Sequence, residues 1–227
     1  MTISFKRAHF PKNIILHAVF FYLRYGVSYR DLEEIMAERG VKVDHATLNR
    51  CVVRYAAQVA EDARRSKRPA DRSWRMDETY IKVKGQWVYL YRAVDKFEKT
   101  LDFMLSERRN KPAAIKFLAR AMEVNGLPRK IVIDKSAANT EGIKDINRML
   151  KRFGCPVPIE MVRIKYLNNM VEQDYRFIKR RVMPMLGFKS FMSAASTIAG
   201  IELVNMIRKG QFTPELRPFQ QFCQLAA

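Results

Sequence analysis

Pro128-Arg-Lys-Ile-Val-Ile-Asp134 is the stretch that decides how this 227-residue chain is read. Ile131-Val-Ile133 is short and wholly apolar, as expected of a strand covered on both faces. Asp134 closes it with a carboxylate, and the carboxyl ends of sheet strands are where α/β folds build their sites. Around it the hydrophobic period changes repeatedly between two and about 3.6 residues. Before it come two β-branched and aromatic runs, Trp74 to Val83 and Gln86 to Val94, with Lys84-Gly85 as a hairpin turn. Lys99 to Ser106 offers a third strand, and Lys111 to Val124 a helix with Ala114, Phe117, Leu118 and Ala121 on one stripe, closed by Asn125-Gly126. After it a helix over Thr140 to Phe153, a strand over Ile159 to Ile164, a helix from the cap Asn168 to Pro184 and a last helix over Phe191 to Lys209 are expected. Three consecutive strands followed by alternating helix and strand predict an α/β fold with a mixed sheet. Trp74, Trp87, Tyr89 and Tyr91 are read as sheet packing.

The first 60 residues read differently, as helices. Asn13 caps one reaching Arg24, and Ser28 caps a second over Tyr29 to Glu38 that Gly40 stops. Asp44 caps a third beginning at His45. Short helices, a glycine-containing turn and a polar first turn make a helix-turn-helix pattern, which would offer His45, Thr47, Asn49 and Arg50 to a major groove. The polar, basic stretch from Asp62 to Ser73, with Pro69, reads as a linker. The expected division is a helix-turn-helix domain over 1–61, a linker over 62–73, an α/β domain over 74–210 and a tail over 211–227.

Lys and Arg number 42 against 23 Asp and Glu, a net charge of +19, and the excess is shared by all three thirds of the chain. A polyanion is the partner such a charge suggests. Apolar residues make up 48% of the chain, which excludes a disordered or fibrous protein. The apolar stretch from Asn13 to Arg24 is too short for a membrane span and lacks a cleavage site. Cys51, Cys155 and Cys223 form no CxxC pair, and His9, His17 and His45 have no zinc-ligand spacing with them. A reduced, cytoplasmic protein with no membrane partner is expected.

Asp77 in the first strand, Asp134 and Glu172 are the candidate carboxylates. On the last part of the 168–184 helix, Val171, Tyr175, Ile178 and Val182 mark a buried stripe. Glu172 stands at its border with Arg176 and Lys179 on the same face. Carboxylates converging without His or Cys favour a hard cation, Mg²⁺ or Mn²⁺. Two such ions suit in-line attack at phosphorus, with Arg176, Lys179 and Arg180 neutralising the strand that is cut.

Several blocks resemble a known family. They include Ser28-Tyr-Arg-Asp-Leu-Glu-Glu34, Trp74-Arg-Met-Asp77-Glu-Thr-Tyr-Ile-Lys-Val-Lys-Gly85, Tyr89-Leu-Tyr-Arg-Ala-Val-Asp95 and Asp134-Lys-Ser-Ala-Ala-Asn139. Lys165-Tyr-Leu-Asn-Asn169, Val171-Glu-Gln-Asp-Tyr-Arg176, Met185-Leu-Gly-Phe-Lys-Ser190 and Gly200-Ile-Glu202 continue the likeness. Over nearly its whole length the chain resembles bacterial insertion-sequence transposases of the insertion sequence six family, which carry an Asp-Asp-Glu catalytic domain. The resemblance implies an RNase H-like catalytic domain behind a helix-turn-helix, with Asp77, Asp134 and Glu172 as metal-binding triad and Lys179 contacting the element end. It implies cleavage at terminal inverted repeats, attack of the freed 3′-hydroxyl on target DNA by a replicative route, and a homodimer or larger assembly on DNA. Tyr175 stands where the family carries histidine, and Asn49-Arg50-Cys51 where Tyr-Arg-Trp is common. The alternative expectation is an inactive copy that only binds DNA in a sequence-specific way.

Overall fold

The computed structural model describes residues 3–6, 8–155, 157–164, 173–185 and 187–227. The chain divides into two compact units, one made of Met1–Arg68 with Phe177–Ala227 and the other of Pro69–Arg176.

The 69–176 unit is built on a five-stranded sheet of β1 (Ser73–Val83), β2 (Gln86–Asp95), β3 (Thr100–Ser106), β4 (Lys130–Ile133) and β5 (Glu160–Arg163). Its order is β3-β2-β1-β4-β5. β1, β2 and β3 form an antiparallel meander, and β4 and β5 run parallel to β1. The β1–β2 turn is the predicted Lys84-Gly85 pair, with φ of 49° and 78°. Two successive left-handed residues give the turn whose twist matches that of paired strands. α4 (Lys111–Asn125) begins at the Asn110 cap and ends at Gly126, whose φ is 74°. α5 (Ala137–Arg152) is capped by Ser136. Trp74, Met76, Tyr91, Ala93, Ile131 and Ile133 share one core with Phe117 and Leu118 of α4 and Ile143 of α5. Val132 points the other way and is equally buried, so β4 is covered on both faces as its composition predicts. Strand order, directions and helix placement are those of an RNase H-like fold.

Asp95 ties off the end of β2. It is fully buried and accepts hydrogen bonds from the backbone N–H groups of Phe97 and Lys99 through one oxygen, and from Asp71 through the other. A buried carboxylate with three such donors keeps its charge solvated by the backbone.

The other unit is helical: α1 (Lys12–Arg24), α2 (Tyr29–Glu38), α3 (His45–Ser66), part of α6 (Arg176–Val182), α7 (Phe191–Arg208) and α8 (Pro218–Leu225). α2 has the bounds its capping signals predict. Ser28 Oγ accepts from Asp31 N, and Asp31 returns a carboxylate oxygen to Ser28 N. α1 is preceded by Pro11 rather than capped by Asn13. α7 is buried around most of its girth, and Gly200 is where it meets α1 and α3. A Cβ there would lie 2.5 Å from Leu23 Cδ1 and 2.9 Å from the Ala56 methyl.

Three expected boundaries differ. Residues 62–66, expected as linker, are the end of α3, because Val52, Ala56, Val59, Ala60 and Ala63 extend its apolar stripe at helical spacing. Residues 211–227, expected as a tail, hold α8, whose Phe222 is fully buried and stacks obliquely at 5.5 Å on Phe20. The expected 74–210 domain is divided between the units at Arg176 and Phe177, since α7 buries its apolar surface against α1 and α3. The expected helix start at Asn168 lies outside the described residues, with α6 following at Arg176. Trp87 is no packing residue: it is 61% exposed, beside an exposed Tyr80 at 6.3 Å.

Gly200→Ala therefore places a methyl group inside contact distance of Leu23 and Ala56. Overpacking of this kind costs about 1–3 kcal/mol. A lowered thermal midpoint by circular dichroism, with far-ultraviolet helix content retained, is the expected outcome.

Candidate active site

The parallel pairing of β1 with β4 fixes the site. Ser73 lies beside Lys130, Trp74 beside Ile131 and Arg75 beside Val132. Carried two rungs further, the same register sets Asp77 beside Asp134, where β4 ends. Asp77, Glu78 and Asp134 each offer a carboxylate oxygen, and these oxygens all lie within 4.8 Å of one another. No other such group of acidic, histidine or cysteine side chains occurs among the described residues. Glu172, the third expected ligand, lies outside the described residues.

Glu78 is the member that sequence reasoning missed. Strand alternation turns it to the face opposite Asp77, toward Tyr91 and the α4–α5 core. Its side chain is only 2% exposed. The sole signal in the sequence is its position next to Asp77. Arg109, in the connection from β3 to α4, reaches Glu78 Oε2 at 3.4 Å and Asp134 Oδ2 at 3.5 Å. Nothing in the sequence marks it. Burial pushes the Glu78 carboxyl up, against the opposing pull of Arg109 and Asn139, and the Asp134 charge adds to the rise. Burial works to lower the Arg109 guanidinium, yet Glu78 and Asp134 hold it above its ordinary value. Burial, and next the Glu78 charge, push the Tyr91 hydroxyl up to about 12. Asp134 is oriented by the Ser136 N–H, which donates to its Oδ1 at 2.8 Å, while Ser136 Oγ caps α5.

The opposite face of the sheet holds a second polar set. Arg92 stands across from Asp77 in the β1–β2 pairing and has no exposed surface. It donates to Asp174 Oδ2 at 2.5 Å and to Thr100 Oγ1 at 2.8 Å. Tyr175, also buried, donates its hydroxyl to the Asp77 carbonyl oxygen at 2.7 Å. Tyr175 is thereby tied to the strand that carries Asp77.

In the helical unit, His45, Asn49 and Arg50 are exposed and Thr47 is half-buried at the start of α3. Asp44 accepts from the Thr47 N–H at 2.9 Å and from its hydroxyl at 2.6 Å, and Arg50 donates to Thr47 Oγ1 at 2.8 Å. His45 N donates to Glu33 of α2 at 2.9 Å, and His45 Nδ1 lies 3.0 Å from the same oxygen. Tyr22 stacks on Tyr29 at 4.0 Å. The polar first turn of α3 is therefore held by α2 while its outer face stays open. Arg176, Lys179 and Arg180 are exposed on α6.

A mixed sheet with carboxylates side by side, one within β1 and one at the end of β4, defines a domain of the RNase H-like class. Residues 71–211 match the family model of a DDE domain of the IS240 transposase type. The chain is 38% identical over 205 residues to the transposase of insertion sequence-like element IS431mec from Staphylococcus aureus strain Mu50, covering 90% of this chain and 88% of that protein. The same identity and coverage hold for the transposase of IS257 in transposon Tn4003 from Staphylococcus aureus. Among solved structures, the HTLV-2 integrase catalytic core domain in complex with magnesium aligns with a TM-score of 0.40 at 15% identity, over 70% of this chain and 86% of that one. The Drosophila P element transposase strand transfer complex aligns at 0.42 and 12%, over 97% and 65%. The chain belongs to the insertion sequence six family of DDE transposases.

Arg109→Ala leaves Glu78 buried beside Asp134 without that counter-charge. Losing one partner of such a pair costs up to about 3–5 kcal/mol when fully buried, and about 1–3 kcal/mol is expected here because Arg109 is a third exposed. The sign of the pH dependence follows from Glu78. Its folded carboxyl is already raised, and removing the arginine raises it further, so the fold holds this proton more tightly than the unfolded chain does. The destabilisation is full above the folded value and shrinks as pH falls toward the unfolded value near ~4.3. Urea unfolding of both proteins at several pH values checks this: the gap between them narrows on acidification.

Proposed function

We propose that this transposase binds the terminal inverted repeats of its own insertion sequence through α2 and α3, cuts their 3′ ends and joins them to target DNA by a replicative route. The observation that carries the catalytic part is the β1–β4 register, with its extension to Asp77 beside Asp134. Hard carboxylate oxygens this close together, with a guanidinium already drawn to two of them, suit Mg²⁺ or Mn²⁺. Asp77 and Asp134, with Glu172, would hold two ions. When bound, such ions activate the attacking oxygen and stabilise the leaving one.

The chain's own groups do the positioning. Tyr175 and the Arg92–Asp174 pair fasten the residues just after Glu172 in sequence to β1 and β2, which supports Glu172 as the third ligand. Ser136 fixes one oxygen of Asp134 and leaves the other toward the cluster. In the first reaction a water oxygen bonds to phosphorus, the P–O3′ bond breaks and the 3′-oxygen leaves with a proton. In the second, that 3′-hydroxyl attacks a target phosphodiester, so one P–O bond replaces another. Lys179, Arg176 and Arg180 would contact the strand being cut, and His45, Thr47, Asn49 and Arg50 the repeat. Two element ends must be joined in one event, so the working form is a dimer or larger on DNA.

Purified protein incubated with Mg²⁺, a plasmid carrying its gene with native flanking DNA, and a target plasmid tests the chemistry. Asp77→Ala, Asp134→Ala and Glu172→Ala should each remove joined products while DNA binding is retained. Joining undiminished in these variants would sink the assignment, and repeat binding without joining by the wild type would mark a binding-only copy. For repeat reading, Arg50→Ala should weaken binding to the repeat by about 1–3 kcal/mol more than binding to random duplex. Equal losses on both would make Arg50 a phosphate contact.

A further inference from the structure

Away from the acid cluster, the helical unit gathers arginines of one sign. Arg24 is the last residue of α1, Arg180 and Arg181 lie in the last turn of α6, and Arg208 is the last residue of α7. The Arg181 guanidinium is packed against the chain at Gly26, where a Cβ would lie 3.0 Å from its Nη1. Burial, and then Arg24, Arg180 and Arg208, press Arg181 below its ordinary value. Among the described residues, no salt bridge joins any of these four to an acid.

The mildest explanation is that each arginine answers the negative end of its own helix. Three helix ends carry about −0.5 charge each, against four full positive charges. A net positive cluster of about +2.5 remains. A fold keeps such a cluster, half-burying one member, at a cost in stability that a bound anion offsets. One member, Arg181, also faces the start of α3. Arg181 lines a cavity of about 880 Å³ whose walls include His45, Asn49 and Arg50 from the first two turns of α3, Lys189, and one acid, Asp31 of α2.

We propose that Arg24, Arg180, Arg181 and Arg208 form a phosphodiester-binding site that clamps the DNA backbone beside the bases read by α3. Its role is to set register, since phosphate contacts position a protein on a duplex without reading sequence. The site rests on the DNA-binding reading given above and extends it to Arg24, Arg181 and Arg208, to which that reading gives no role.

The test uses full-length protein, Arg181→Gln and Arg208→Gln, and two fluorescent duplexes, one from the gene's flanking DNA and one scrambled. Anisotropy is measured across a salt series, and the melting temperature without DNA is recorded. Each variant should bind both duplexes about 5–10-fold more weakly, by the same factor, and the slope of log affinity against log salt should shrink by about 0.9 per arginine removed. The melting temperature without DNA should hold or rise, because like charges have been separated. A salt slope and affinity unchanged in Arg208→Gln, an exposed position that tolerates glutamine, overturn the proposal. So does a lower melting temperature with an unchanged slope, which marks a structural role. Wild-type protein that binds neither duplex overturns both this site and the reading beneath it, whereas bound wild type with unaffected variants overturns the site alone.

Discussion

β1 is hydrogen-bonded to an antiparallel strand on one side and a parallel strand on the other, and both pairings have to hold for Asp77 to stand between Arg92 and Asp134. The antiparallel side is local: a two-residue turn sets its register, and Asp77 faces Arg92 as a result. The parallel side is not local. Forming it requires β3, α4 and their connections to be in place, and only then does Asp134 arrive beside Asp77. A slip of one residue in this pairing would turn Asp134 away from Asp77, because side chains alternate between faces. Such a slip is costly because it carries Lys130 or Asp134, which flank the run, into a rung that Ile131-Val-Ile133 keeps buried.

Charge burial around this strand is organised by face. On the side of α4 and α5, Glu78 is drawn to Arg109; on the other, Arg92 is drawn to Asp174. Glu78 and Arg92, the two buried charges of this pair of faces, each have an opposite one at hand. The two sets differ in access to water. The Arg92 pair is closed off and acts as a fastener. Arg109 and Asp134 are each a third exposed, so their contact can be exchanged for another cation at modest cost.

Much of this was legible in the sequence because local chemistry dictated it. The Ser28 and Asp44 caps, the Lys84-Gly85 turn and the alternation from Trp74 onward each fix an element through neighbours a few residues away. Asp77 and Asp134 stood out through their place on strands. Glu78 and Arg109 did not, because their roles depend on packing between β1, β4 and the β3–α4 connection. The 62–66 segment escapes a local reading for a related reason: Arg64 and Arg65 suggest solvent, while the Ala60 and Ala63 methyl groups follow the α3 stripe inward. α8 was hidden by the prolines around it, although Pro218 at a first helical position is favourable.

The return of the chain to its first unit bears on the order in which the protein is made. The sheet unit is one continuous segment, so its contacts can close while synthesis is still under way. The helices that hold α3 cannot. Leu23 and Ala56 need Gly200, and Phe20 needs Phe222, so the N-terminal helices leave the ribosome long before the surfaces that cover them. A chain broken off after the sheet is finished has its carboxylates in place but leaves α1 and α3 with bare apolar flanks, open to chaperones and proteases. Only a chain that has been made as far as α8 presents a buried helical unit, which couples possession of that unit to synthesis past Phe222.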